Sequence, residues 1–173
     1  MMVGIVETWF QRGDFAIGLI DVGGQRSERK KWLHCFESVN SVLFVVSMSE
    51  YDQTLEEDHN VNRMQESIKL FASVCNVKWF SNASMLLFLN KKDAFDEKIT
   101  FSPLRLCFSS YDGPQEKDAA SKFMAEQFLS QNHSGRAIYR HFTCAKDPQN
   151  ITKVFEAVED VITRLSMIDV GLI

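Results

Sequence analysis

Two short, uncharged runs of apolar residues constrain the fold of this chain more than any other feature of its sequence. The first covers residues 41–47 (SVLFVVS) and the second covers residues 85–89 (MLLFL). Short runs that are apolar throughout are typical of strands buried on both faces, as strands are in parallel sheets. We therefore predict that both runs form buried strands.

Helical patterns follow these runs. Apolar residues recur mostly at steps of three and four over residues 61–75, and a weaker stripe of this kind covers residues 115–130. Residues 137–142 are predicted to form a third strand. The dipeptide Asp147-Pro148 then supplies an N-cap acceptor and a first-turn proline for a helix with the longest apolar stripe of the chain. Alternating strands and helices predict an α/β fold with a parallel sheet.

The segment before the first apolar run is predicted to form a hairpin. Residues 6–10 and 15–20 have the composition of strands, and residues 11–14 include a glycine suited to the turn between them. The polar, basic stretch over residues 25–32 suits an exposed helix. Residues 96–114 hold two of the three prolines and are predicted to be rich in loops.

Composition excludes several classes of protein. A chain of 173 residues, 45% hydrophobic and 24% charged, has the length and balance of one globular domain. The formal net charge of −4 argues against a nucleic-acid partner, since no global basic field is present. No stretch approaches the roughly 20 apolar residues of a transmembrane segment. Four scattered cysteines without a C-x-x-C pair favour a reducing, cytoplasmic location.

Ligands of parallel α/β folds bind beyond the carboxyl ends of the strands, so motifs at those ends carry most weight. The first is Asp21-Val22-Gly23-Gly24-Gln25. One interpretation is a tight turn in which the glycines accept unusual backbone angles. The other is a phosphate sensor, in which the Gly24 N–H approaches a terminal phosphate, Asp21 holds a magnesium-bound water, and Gln25 orients an attacking water.

The second motif is Asn90-Lys91-Lys92-Asp93, which follows the run at residues 85–89. A solvated, charged turn is the simpler interpretation. The functional one is specific, because guanine presents its N1–H and 2-amino group as adjacent donors that one carboxylate, Asp93, can accept. The aliphatic stem of Lys91 can lie along the base, and Asn90 can tie neighbouring loops together.

The third motif is Thr143-Cys144-Ala145, after the third predicted strand. Alone it predicts no more than a polar loop before a helix. Together with the second motif it offers the backbone N–H of Ala145 as a donor to guanine O6. The three motifs occur in the order, and at the strand ends, that a guanine-nucleotide site requires.

These motifs also carry a resemblance to a known family. The run at residues 21–32 (DVGGQRSERKKW) closely resembles switch II of heterotrimeric G-protein α subunits, and residues 90–93 and 143–145 resemble their guanine motifs. The resemblance implies a Ras-like P-loop GTPase fold, a parallel sheet with one antiparallel hairpin strand, and residues 1–173 as one partial domain of it. It implies GTP or GDP as ligand and Mg²⁺ as cofactor. The resemblance implies that Gln25 is the catalytic residue. It also implies that the second and third motifs, Cys144 included, bind the base.

The sequence departs from the family pattern at several points. The family's G-x-x-x-x-G-K-[ST] loop, the strand leading into it, the inserted helical domain and the switch I arginine have no counterpart in the 173 residues. Met2 stands at the position of the magnesium-binding threonine, and Lys146 replaces a residue that is usually threonine. We therefore expect no metal site beyond water-mediated contact through Asp21. We also expect weak binding of the base alone, negligible hydrolysis, and an open strand edge beside residues 42–46.

Partner surfaces are implied by the same resemblance. Positions that contact the βγ dimer match five residues: Ile5, Glu7, Lys31, Trp32 and Cys35. The final residues, Gly171 and Leu172 among them, resemble the receptor-binding tail of inhibitory-type subunits. Trp32 would be either an exposed interface anchor or a residue that packs the short helix onto the sheet, and the tail either a receptor contact or a frayed terminus.

Two functions therefore remain open. One is a GTP-binding signal transducer that couples G protein-coupled receptors to effectors, acting at the inner face of the plasma membrane through its partners. The other is a non-catalytic fragment that binds βγ or receptor as a decoy. The sequence also fits a partial gene model of a full α subunit, in which case the transducer function applies to the full protein.

Overall fold

The computed structural model of the protein describes residues 5–12, 15–36 and 39–169. The chain divides into two compact units, Met1–Val39 and Asn40–Ile173. The expectation that residues 1–173 form a single domain stays a prediction.

The first unit contains the predicted hairpin. Strand β1 (Ile5–Arg12) pairs antiparallel with β2 (Phe15–Val22) over their whole length. Trp9 lies opposite Gly18, and a Cβ at Gly18 would come within 2.9 Å of the Trp9 ring, so the missing side chain leaves room for the indole. The predicted helix over residues 25–32 begins later than expected, as a 3-10 helix at Arg29–Cys35.

The second unit is built on a parallel sheet. Strands β3 (Ser41–Ser47), β4 (Ser84–Asn90) and β5 (Ile138–Phe142) lie in the order β3-β4-β5, and both neighbouring pairs are parallel. All three strands fall where the sequence predicts them. The parallel sheet and the separate antiparallel hairpin confirm the predicted α/β class.

Burial differs sharply between the two apolar strands. Every residue from Met85 to Leu89 in β4 is buried, whereas Leu43 and Val45 of β3 are 37% and 57% exposed. The prediction that β3 is buried on both faces is therefore wrong. The physical reason is its place at the edge of the three-stranded sheet, where β4 is the one strand of the described second unit that pairs with it.

Four α-helices accompany the sheet: α1 (Arg63–Cys75), α2 (Lys92–Lys98), α3 (Lys117–Leu129) and α4 (Pro148–Asp169). Helices α1, α3 and α4 match the predicted stripes. Helix α2 and a 3-10 turn at Leu104–Leu106 occupy part of the region predicted to be loop-rich. A helix of seven residues makes two turns, too few for a periodic pattern to be visible in the sequence.

The helices cover both faces of the sheet. On one face, Phe44 of β3 packs edge-on against Phe71 of α1, and Phe71 packs against Phe128 of α3, with ring centroids 5.1 and 5.6 Å apart. On the other face, Leu86 and Phe88 of β4 form a cluster with Val158 of α4. Phe44 pairs in register with Leu87, and neighbouring residues of a strand point to opposite faces, so the two clusters lie on opposite sides. Within the described residues, no helix has the length and apolar character needed to cross a membrane.

Candidate functional site

The second and third motifs meet at the carboxyl edge of the sheet. Strands β4 and β5 are adjacent and parallel, with Leu89 opposite Phe142, so the loops that follow them start side by side. The Thr143 N–H donates to the Leu89 carbonyl at 2.9 Å, and the Lys92 N–H donates to the Thr143 carbonyl at 3.1 Å. Backbone hydrogen bonds therefore fix the two loops against each other, independently of their side chains.

Lys91 turns the chain from β4 into α2. It is the one non-glycine residue with positive φ in the described part of the chain, at φ 58° and ψ 39°. A side chain in this left-handed region costs about 1–2 kcal/mol, and such strain is common at functional sites. Nζ of Lys91 forms an ion pair with Oε1 of Glu50 at 2.6 Å, and the side chain remains half exposed.

Asp93 stands in the first turn of α2 with its carboxylate accessible. Its side chain is 40% exposed, and Nζ of Lys146 lies 3.6 Å from Oδ2. The backbone N–H of Ala94, together with the Cys144 thiol and the Lys146 ammonium, lowers the pKa of Asp93 against a smaller opposing effect of desolvation. The carboxylate is therefore charged at neutral pH and able to accept hydrogen bonds.

Asn90 has a buried polar atom that lacks a partner. Among the described residues, its Oδ1 is buried and accepts no hydrogen bond. An unsatisfied buried oxygen costs about 1–3 kcal/mol, so this motif contains one acceptor that lacks a donor. The linking role that the motif predicts for Asn90 stays a prediction.

The third motif contributes backbone groups more than side chains. Thr143 is buried, Cys144 is half-buried and Ala145 is exposed. The Cys144 N–H donates to Oδ1 of Asn150 in the first turn of α4, at 3.0 Å. This hydrogen bond holds the loop against the start of α4, and the exposed Ala145 follows it directly.

Two residues at this site were missed by the sequence analysis. Glu50 follows β3 in a 3-10 turn, Met48–Glu50, and its carboxylate binds both Lys91 and Nη1 of Arg63 (3.0 Å). Asn150 holds the third motif. Glu50 could have been found from its position after the carboxyl end of a parallel strand, whereas Asn150 carries no recognisable signal.

A second charged cluster fixes the loop after β3. Nζ of Lys98 donates to Oδ1 of Asp52 at 2.5 Å and to the Ser49 carbonyl at 2.9 Å, and Ser102 donates to the other oxygen of Asp52. The Tyr51 hydroxyl donates to the Ser102 carbonyl. These contacts join the chain after β3 to α2, and so support the helix that carries Asp93.

The first motif lies at the end of β2, in the first unit. Asp21 pairs with Val6 and is exposed, as are Gly24 and Gln25. Neither Gly23 nor Gly24 has positive φ, so unusual backbone angles do not explain these glycines. At Gly24 a Cβ would meet nothing within 4 Å, which leaves the space for close approach to the backbone open.

The five residues matched to contacts with the βγ dimer also lie in the first unit. Ile5 and Glu7 are exposed on β1, and Lys31 pairs with Glu28 at 2.6 Å. Trp32 is half-buried, and its indole N–H donates to the Gly23 carbonyl at 2.9 Å. Cys35 is half-buried at the end of the 3-10 helix. Gly171 and Leu172 lie outside the described residues.

The parallel sheet, the antiparallel hairpin and the paired loops at the carboxyl edge define a fragment of the Ras-like GTPase fold. A family model described as G-protein alpha subunit matches residues 1–162. Two similar curated proteins are the guanine nucleotide-binding protein G(o) subunit alpha of Locusta migratoria and that of Lymnaea stagnalis. Each is 55% identical over 170 residues, which is 98% of this chain and 48% of the relative. The chain belongs to the G-protein alpha subunit family, and it spans about half the length of the curated relatives it matches.

Proposed function

We propose that this chain carries the guanine-recognition part of the nucleotide site of a G-protein α subunit. The complete protein would then be a GTP-binding signal transducer that couples receptors to effectors and binds a βγ dimer at the inner face of the plasma membrane. The observation that carries the proposal is the hydrogen-bonded pairing of the two loops after β4 and β5, with the Asp93 carboxylate accessible beside them.

Each part of the paired loops has a distinct task in binding the base. The Asp93 carboxylate accepts from guanine N1–H and the 2-amino group, and the N–H of Ala145 donates to O6. The stem of Lys91 lies along the base, with its ammonium held by Glu50. Adenine is rejected because it lacks the N1–H and carries a donor in place of O6.

The phosphate-facing roles rest on the first motif. Gly24 would approach the terminal phosphate, Asp21 would bind Mg²⁺ through water, and Gln25 would orient the attacking water. In the 173-residue chain these groups have no phosphate loop to work with. Hydrogen bonds to a charged group contribute about 1.5–3 kcal/mol each. A net of roughly −4 to −6 kcal/mol then gives affinities from about millimolar to tens of micromolar, with negligible hydrolysis.

Calorimetric titration of the purified chain tests this proposal. Guanosine, GDP, a non-hydrolysable GTP analogue and adenosine are compared in the presence of magnesium. We expect the three guanine ligands to bind with similar, weak affinity and adenosine to bind at least about tenfold more weakly. Micromolar binding that requires the phosphates would contradict the base-only site.

A pair of matched variants locates the site. Asp93→Asn exchanges a carboxylate oxygen for an amide donor in the first turn of α2, and Asp118→Asn makes the same change in the first turn of α3. We expect guanosine binding to fall at least about tenfold in the first variant and to stay unchanged in the second. Equal affinities in both variants would place the base elsewhere.

A second candidate function is an interaction fragment that binds the βγ dimer. It is favoured by the first unit, where the Glu28–Lys31 pair and the Trp32–Gly23 hydrogen bond order the 3-10 helix that carries three of the matched residues. Capture of purified βγ by the immobilised chain, reduced in Trp32→Ala, would support it. Failure of the unaltered chain to capture βγ would reject it.

A further inference from the structure

We propose that Lys146 relaxes the base selectivity of this site, so that it accepts inosine almost as well as guanosine. The inference rests on the proposed function and concerns which 6-oxopurine the site takes. It starts from one contact: Nζ of Lys146 lies 3.6 Å from Oδ2 of Asp93. The side chain of Lys146 is 86% exposed, so it can follow the carboxylate whichever base is bound.

The other lysines of the second motif are engaged elsewhere. Lys92 donates to both carboxylate oxygens of Asp96, at 2.7 and 2.6 Å. Lys91 is held by Glu50 at 2.6 Å. Of the ion pairs in the described part of the chain, the one that reaches Asp93 is made by Lys146.

Guanosine and inosine differ at a single group. Both carry N1–H and O6, so a donor such as the Ala145 N–H treats them alike, but inosine has hydrogen in place of the 2-amino group. A carboxylate that reads guanine would lose one donor when inosine binds, and an unsatisfied charged oxygen is the usual source of strong discrimination. The Lys146 ammonium gives that oxygen a cationic partner. The hydrogen bond that is lost with the 2-amino group is therefore replaced by a contact within the protein.

The same contact also reduces the preference for guanosine by weakening the binding of guanosine itself. When guanosine binds, its 2-amino group must share Oδ2 of Asp93 with Lys146. The gain from that amino group is therefore smaller than it would be at a bare carboxylate. Adenosine remains excluded, because its N1 is an acceptor that faces the carboxylate and its 6-amino group is a donor that faces the Ala145 N–H.

The test compares Lys146→Gln with Lys122→Gln, which removes an exposed lysine from α3. Guanosine, inosine and adenosine are titrated into each chain by ligand-observed NMR. We expect the unaltered chain and Lys122→Gln to bind guanosine no more than about threefold more tightly than inosine. In Lys146→Gln we expect that ratio to rise to about tenfold or more, mainly through weaker inosine binding.

The outcomes separate the two proposals. An unchanged guanosine-to-inosine ratio in Lys146→Gln overturns this inference and leaves the guanine site intact. If the unaltered chain binds neither nucleoside, the proposed function fails and the inference fails with it. Thermal melts of all three chains show whether either substitution disturbs folding.

A ligand-free measurement tests the contact itself. NMR titration of the Asp93 carboxyl carbon reports its pKa, which the Ala94 N–H, the Cys144 thiol and Lys146 together hold below the ordinary value. Because Lys146 favours the charged form, we expect the pKa to rise in Lys146→Gln and to stay unchanged in Lys122→Gln. An equal pKa in the two variants would overturn the inference whatever the nucleoside results.

Discussion

Nζ of Lys91 lies 2.6 Å from Oε1 of Glu50, a residue 41 positions earlier in the chain. The pair joins the loop after β3 to the loop after β4, at the one described non-glycine residue that adopts a left-handed conformation. Glu50 also binds Arg63, so one carboxylate holds the lysine at the base site and the start of α1 together. The proposed base site thus includes a contact from a residue that belongs to none of the three motifs.

The first prediction concerns this carboxylate. Glu50→Gln keeps the shape of the side chain but removes its charge, so we expect about 1–2 kcal/mol lower free energy of unfolding and about threefold weaker guanosine binding. If Glu50 acts through Lys91, the substitution should weaken binding no further in a Lys91→Met background, where the aliphatic stem remains without the charge. Urea unfolding and calorimetry measure the two effects.

Glu97→Gln is the control for that prediction, because it removes an exposed carboxylate from α2 itself. It should leave both stability and guanosine affinity unchanged. Additive losses in the Glu50→Gln, Lys91→Met double variant would show that Glu50 does not work through the lysine.

The second prediction concerns acid stability and Asp52. Burial by itself raises the pKa of Asp52, but hydrogen bonds from Lys98 and Ser102 outweigh it and leave the pKa below its ordinary value of 3.8. A pKa depressed in the folded state stabilises the fold above the unfolded value, and this stabilisation is lost as the pH falls through the folded value. We therefore expect Asp52→Asn to lower the free energy of unfolding by about 1–3 kcal/mol at pH 6.

That difference should shrink as the pH falls below about 4, because the unfolded state then takes up a proton at Asp52 before the folded state does. Urea unfolding at a series of pH values measures it. Asp112 is exposed, so the free energy of unfolding of Asp112→Asn should follow that of the unaltered chain at every pH. A difference that stays constant down to pH 3 would show that Asp52 contributes by something other than its charge.

The third prediction concerns the start of α1. Oδ1 of Asn62 accepts from the Met64 and Gln65 N–H groups at 2.9 and 3.0 Å, and Nδ2 donates to the Tyr51 carbonyl at 2.6 Å. Asn62→Ala removes both functions and should destabilise the chain by about 1–2 kcal/mol. Asn62→Ser keeps a cap acceptor and loses the contact with Tyr51, so it should lower the free energy of unfolding less than Asn62→Ala does. Equal unfolding midpoints for the two variants would argue that the cap is not what Asn62 contributes.

The fourth prediction concerns the edge of the sheet. Strand β3 has no charged residue or proline, and Val45 is 57% exposed on it, a pattern that favours edge-to-edge association. We expect the 173-residue chain to self-associate at high concentration and Val45→Lys to reduce this. Leu106 is 66% exposed and lies in a 3-10 turn outside the sheet, so Leu106→Lys should leave self-association unchanged. Sedimentation velocity would refute the idea if the unaltered chain stayed monomeric.

Much of the site follows from local sequence because its chemistry is local. The second motif must come directly after a strand, and β4 is recognisable as a continuous apolar run. The N-cap of α4 is equally local, since Asp147 accepts the Gln149 N–H two residues on, at 2.9 Å. Helix α2 was not predicted from the sequence, because a helix of seven residues is too short to show a periodic pattern.

The sequence by itself determined the α/β class, the hairpin and the three strands, and it supplied the candidate residues for binding a guanine base. It did so because strand and helix periodicity, capping and short motifs are properties of neighbouring residues. The tertiary structure alone decided that β3 is an edge strand, that Glu50 and Asn150 contact the loops after β4 and β5, and that Lys146 lies beside Asp93. Those contacts join residues that are distant in sequence, and only the packing of strands side by side fixes which loops meet.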